Sequence, residues 1–179
     1  MKAATLLSAL AVLAATLPSP GQSNTPVSPA RADEPAGARD FLTRLFAHYP
    51  HKAGAPPFEP AGRSAAGVFD PSMVALLREM DRVTPKGDAP ALDGDPLCDC
   101  QDDQGMTVRI GPVYRAGPAS AGAVVRIAFA GAPSSDARQL KLNLVNLRGQ
   151  WRVHDILSKD MPSLRAYLIK ANAEAKAHK

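Results

Sequence analysis

Six aspartates, Asp88, Asp93, Asp95, Asp99, Asp102 and Asp103, crowd into 16 residues with no lysine or arginine among them. Carboxylates at that density repel one another unless a cation or a basic partner neutralises them. Calcium is the cation that oxygen-rich loops take up. The spacing departs from the helix–loop–helix calcium pattern, however. Asp93 and Asp95 fit, but Leu97 and Cys98 stand where the next ligand and the turn glycine belong, and no glutamate follows at the twelfth place. The loop is therefore expected to hold no metal, with Asp95 or Asp102 capping local backbone amides. Cys98-Asp99-Cys100 lies inside it. In an oxidising compartment these two cysteines are a candidate disulfide across a single residue. The flanking carboxylates should raise the thiol pKa values, which argues against an activated thiolate. Two thiolates alone also make a poor metal site.

The other chemistry-bearing residues lie near the C-terminal end. Asp155 follows Trp151 and Val153 at alternating positions, so it shares their face of a strand. If that face meets the helices, Asp155 points towards the mouth of a cleft, where apolar walls could raise its pKa and make it a general base. Its competing role is to end the strand, solvated or bonded to a backbone amide. Trp151 reads as core. Ser158 lies near His154 and Asp155, but adjacent strand residues face opposite ways and no Gly-x-Ser-x-Gly elbow is present. His48 and His51 look like a ligand pair, yet Pro50 between them prevents a shared helical face. Arg109, Arg126 and Arg152 read as a wet outer face. The candidate ligand contacts are Asp95, Gln101, Asp102, Tyr114, Trp151 and Asp155; the catalytic candidate is Asp155.

The elements that must position these residues follow from periodicity. Asp40 is a candidate N-cap for a helix whose Phe41, Leu42, Leu45, Phe46 and Tyr49 share one face, with Pro50 ending it. Residues 50–67, rich in Pro and Gly, read as a loop. Asp70-Pro71 is a strong helix start, and Pro85 closes that helix. After a loop over 86–105 the period becomes two: Met106, Val108, Ile110; Ala123, Val125, Ile127, Phe129; Leu140, Leu142, Leu144; Trp151, Val153. Gly111-Pro112 should end or bend the first strand. Short Gly- and Pro-bearing separators favour an antiparallel meander of four strands. Asp160, with Pro162 just inside, is expected to open a C-terminal helix docked by Leu164, Leu168 and Ile169. The fold class is α+β, with the two early helices covering the apolar face of the sheet.

Three segments carry a resemblance: Asp95-Pro96-Leu97-Cys98-Asp99-Cys100-Gln101-Asp102, the strand Gly149-Gln150-Trp151-Arg152-Val153-His154-Asp155-Ile156, and Ser163-Leu164-Arg165-Ala166-Tyr167-Leu168. Over about residues 38–170 the chain resembles the bacterial secreted family catalogued as domain of unknown function 3828. That resemblance implies a nuclear transport factor 2-like, cone-shaped fold, in which helices pack into a strongly bent antiparallel sheet. It implies no activity.

The chain has 179 residues, which suits one domain, and a formal net charge of +4. Residues 1–32 read as a secretory signal. Lys2 precedes an uncharged apolar run from Ala3 to Leu17, and Ala30-Arg31-Ala32 offers a small-x-small cleavage site, with a cut near Ser23 as the alternative. That run is shorter than the roughly 20 residues a membrane span needs, and no later stretch is long and apolar enough. Loss of Lys2 and Arg31 leaves only +2, too little for a nucleic-acid-binding face. Residues 33–37 are expected to be a disordered start, 38–170 one α+β domain and 171–179 a frayed tail. The functional expectation is a periplasmic or secreted, non-enzymatic binding module that needs no cofactor and no membrane span once its signal is removed. Its partner is a small ligand or another envelope protein. The alternative is a small cleft enzyme with Asp155 as base.

Overall fold

Proline and aspartate set the first strong boundary in the fold. Asp70 stands in extended conformation and its Oδ1 accepts the Met73 amide at 2.8 Å, while Pro71 occupies the first turn. In the computed structural model, which describes residues 34–50 and 62–178, this helix runs Pro71–Val83. It follows α1 (Ala38–Phe46) and a single turn, α2 (Ala65–Val68), and is α3 here. Four strands come next: β1 (Met106–Gly117), β2 (Ser120–Phe129), β3 (Arg138–Leu147) and β4 (Gln150–Leu157). A last helix, α4 (Leu164–Ala177), closes the chain. The fold is α+β, and the strands pair antiparallel in sequence order, as the short separators imply. The signal segment 1–32, His51 and most of the Pro-rich insert lie outside the described residues.

Alternation decides which side of the sheet is dry. Ala121, Ala123, Val125 and Ile127 of β2, Leu140, Leu142 and Leu144 of β3, and Trp151 and Val153 of β4 are buried against the helices. Phe41, Leu42, Leu45 and Phe46 of α1, Met73, Val74, Leu77 and Met80 of α3, and Leu164 and Leu168 of α4 complete one continuous core. The β3–β4 turn is tight because Arg148 and Gly149 both have positive φ, 54° and 87°. That is the backbone a two-residue hairpin of matching twist requires.

Gly111-Pro112 bends β1 rather than ending it. The register slips between Ile110 and Val113, since proline has no N–H for the ladder. Arg39 of α1 takes up the freed carbonyls: its guanidinium donates to Gly111 O at 3.0 Å while Glu34 grips its other edge.

Several boundaries differ from the sequence expectation, each because of a distant contact. Helix α1 starts at Ala38 behind a left-handed Gly37, so Asp40 lies in the first turn instead of capping it. Residues 34–37 are tied down, not loose. Trp151 Nε1 donates to Ala36 O at 2.9 Å, and Glu34 pairs with Arg39. The single turn α2 interrupts the expected loop, held by Arg152 Nε on Ala66 O at 3.0 Å. Ser163, not Asp160, caps α4 by accepting the Ala166 amide. Residues 171–177, expected to fray, stay helical. Asn172 is buried and donates to Leu76 O at 3.0 Å, and Lys176 pairs with Glu79 at 2.6 Å.

Candidate functional site

The acidic loop is folded around Asp95. Its amide donates to Cys100 O, its Oδ1 accepts the Leu97 amide at 2.8 Å, and its Oδ2 accepts the Tyr49 hydroxyl. Burial, with the Asp95 carboxylate beside it, pushes the Tyr49 phenol above its ordinary pKa. Gly94 must be glycine: its φ is 134°, and a Cβ there would sit 2.7 Å from Cys100 O. Cys98 and Cys100 are joined in a disulfide, with Cys98 fully buried. The remaining carboxylates turn to separate partners. Asp93 accepts from Gln101 Nε2 at 2.7 Å and Asp102 accepts the Gln104 amide at 2.9 Å. Among the described residues, no three His, Cys, Asp or Glu side chains gather in a way that could hold a metal ion.

Asp155 is buried where β4 ends. Its Oδ1 accepts the Ile156 and Arg165 amides at 2.9 and 3.0 Å, and its Oδ2 accepts the Ser163 hydroxyl at 2.7 Å. Ser163 in turn caps α4. The carboxylate therefore serves the N-terminus of a helix, where donors and dipole favour negative charge. Three donors thus share its two oxygens. Of the two roles the sequence offers for Asp155, these bonds match the one in which it ends its strand bonded to backbone amides.

The neighbouring His154 does the same for α3. A register shift between Asn143 and Leu144 makes His154 the extra residue of β4. Its Nδ1 meets the Asp70 carboxylate, the cap of α3. Burial would raise the pKa of Asp70, but hydrogen bonds from Ser72, His154 and the Met73 amide outweigh it and hold the carboxyl below its ordinary value. Ser72, Asp70 and His154 are the side-chain types of a hydrolytic triad in an unproductive order. Ser72 Oγ donates to Asp70 at 2.6 Å, so the serine is bonded to the acid and not to the imidazole.

The sequence candidates do not form one site. Trp151 is buried in the core, and Tyr114 lies on the opposite face of the sheet, flat across Gly122 of the neighbouring strand. Gln101 and Asp102 are exposed in the acidic loop. What sequence reading left as a wet surface is the more distinctive arrangement. Arg109 of β1 and Arg126 of β2 are direct cross-strand partners on the outer face of the sheet. Parity within each strand could have shown the shared face; only the register shows that the two are opposite.

Three surface depressions differ in charge. One of about 850 Å³ mixes Arg138, Lys141 and Lys159 with Asp99, Asp136 and Asp160. Arg138 there is already engaged, over the Phe129 ring at 5.3 Å. A second, of about 380 Å³, holds Arg78 and Arg152, and Arg152 is committed to Ala66 O, Trp151 O and Gln150. The third, of about 410 Å³, is lined by Thr107, Val108, Arg109, Arg126 and Ala128, with no carboxylate. Neither of its arginines makes a hydrogen bond or ion pair among the described residues.

No family model matches the chain, and no curated protein matches it. Among solved structures, the chain is similar to a phospholipid-binding protein from Ralstonia solanacearum, determined in complex with a phospholipid. The identity is 14%, the match covers 78% of this chain and 89% of that one, and the TM-score is 0.31. At that score the likeness says nothing of what this chain binds. The protein is an α+β domain with one face of its sheet packed against helices.

Proposed function

We propose that the protein is an exported, non-catalytic binding module, and that it takes an anionic ligand of the envelope on the outer face of its sheet. The observation that carries this reading is the Arg109–Arg126 pair. Like charges directly opposite on adjacent strands repel, and no carboxylate lines the depression that holds these two. An anion would relieve that repulsion. The commitment of Asp155, Asp95 and Asp102 to helix and loop amides supports a binding role over a catalytic one. The proposal includes membership of residues 38–170 in the secreted family resembled by the Asp95–Asp102, Gly149–Ile156 and Ser163–Leu168 segments. The helix-covered meander is compatible with that family's expected architecture.

Amide chemical-shift mapping tests the binding surface. Phosphate, sulfate and acetate, each matched to glycerol as a neutral probe, should move the amides of 107–109 and 126–128. Shifts confined to the acidic loop, or no response to any anion, would overturn the reading. Export has its own test. N-terminal sequencing of material recovered outside the cytoplasm should begin at Asp33; a retained Met1 would reject the signal.

A further inference from the structure

Resting on the anion-binding reading, we infer that the Arg109–Arg126 pair is a phosphate site, built for a dianionic phosphate or phosphate monoester in preference to a carboxylate. Three features lead there. First, the two guanidiniums rise from Cα partners in a register that runs unbroken from Met106↔Phe129 to Ile110↔Val125, so the strands themselves hold their spacing. Cross-strand neighbours of this kind have Cβ atoms about 4.5–5.5 Å apart. Two guanidiniums on directly opposed residues of one depression carry more donors than a single carboxylate can accept, whereas the oxygens of a phosphate can take a pair from each.

Second, charge favours the dianion. The lining holds two arginines and no acid, so a ligand with two negative charges neutralises the pair and a carboxylate leaves half of it. Third, the flanking pair is small. Thr107 lies opposite Ala128, and Thr107 Oγ1 donates to Ala128 O at 3.3 Å, which turns the hydroxyl into the sheet. The depression of about 410 Å³ beside the guanidiniums is therefore open to the substituent of a monoester. The other two depressions lack this combination: one sets its cations among carboxylates, and in the other Arg152 is already bonded, which leaves Arg78 without a second arginine to share an anion.

The phosphate could belong to a soluble monoester or to a lipid headgroup; the shared chemistry is the terminal phosphate. The experiment uses the mature protein at pH 7.5 with four probes: inorganic phosphate, glycerol 3-phosphate, acetate, and phosphatidylcholine vesicles with and without phosphatidic acid. Calorimetry or vesicle co-sedimentation gives affinity, and arginine side-chain Nε resonances report the site. Phosphate or its monoester should bind at least about tenfold tighter than acetate and shift the Arg109 and Arg126 resonances. The double variant R109Q/R126Q should lose that binding with its denaturant midpoint preserved. R109K/R126K, which keeps charge but not the fork, should lose most of the preference over acetate. Binding to glycerol 3-phosphate supports a soluble source, and binding to phosphatidic acid vesicles alone supports a headgroup. Equal affinity for phosphate and acetate at these arginines would overturn the phosphate assignment while leaving an anion-binding module. Phosphate binding that survives in R109Q/R126Q would overturn the site, and no anion binding at all would remove both readings.

Discussion

Asp155 shows how one carboxylate at the end of a strand can offer both a catalytic and a capping reading, and its bonds are those of a cap. It accepts from Ser163, Arg165 and Ile156, all within ten residues along the chain. Replacing it with alanine leaves buried donors without partners at the start of α4. That should destabilise the protein by about 1–3 kcal/mol, the range for stranded buried groups. Asp155→Asn keeps one acceptor oxygen and should lose distinctly less. Denaturant midpoints of the two variants check this, and an alanine variant as stable as the parent would show that the cap carries no weight. The acid sensitivity of the fold belongs to the same scale. Arg82 and Lys176 together draw the pKa of Glu79 down from 4.5 to about 2. A carboxyl lowered on folding stabilises above its unfolded pKa, and that contribution disappears as pH falls through the folded value. Asp70, also held low, acts in the same direction. Stability should therefore be level above about pH 5 and decline from there towards pH 2. Glu79→Gln should flatten the decline in a series of unfolding curves; an unchanged slope would mean that its two ion pairs are screened away.

At the scale of elements, β4 is the organising piece. Trp151 fills the core beside Gly37 and donates to Ala36 O, Val153 bridges to Phe69, and His154 and Asp155 hold the caps of α3 and α4. Trp151→Ala should destabilise by roughly 3–5 kcal/mol, the usual range for losing a buried large aromatic. A near-unchanged midpoint would contradict its burial. The meander and the Asp70-Pro71 start were legible in the sequence because their signals are local: a period of two, short turns, a capping side chain ahead of a proline. The start of α1, the turn α2 and the ordered end of α4 were not. Each depends on a partner far along the chain, with Trp151 to Ala36 spanning 115 residues and Asn172 to Leu76 spanning 96. The candidate site divided in the same way. The aspartates as local caps could be read from type and spacing. The pairing of Asp70 with His154 and of Arg109 with Arg126 could not, since both need the tertiary register.

For the whole molecule, the two helix anchors on β4 imply an order of events. Asp155 reaches Arg165 across ten residues, whereas His154 reaches Asp70 across 84. Closing the longer loop sacrifices more chain entropy, so contacts of that separation tend to form after the local ones. The β3–β4 hairpin with α4 would then be the nucleus, and the N-terminal helices would settle onto a sheet already made. Asp155→Asn should accordingly slow refolding, while Asp70→Asn should chiefly hasten unfolding; stopped-flow chevrons separate the two, and the reverse pattern would place the nucleus at the N-terminal end. Were the proposed export to carry the chain across a membrane unfolded and N-terminus first, this order would have a further meaning. The N-terminal helices would cross early but find no sheet to settle on until the last quarter of the sequence arrived, so the chain would stay free of a finished core for nearly the whole of its passage.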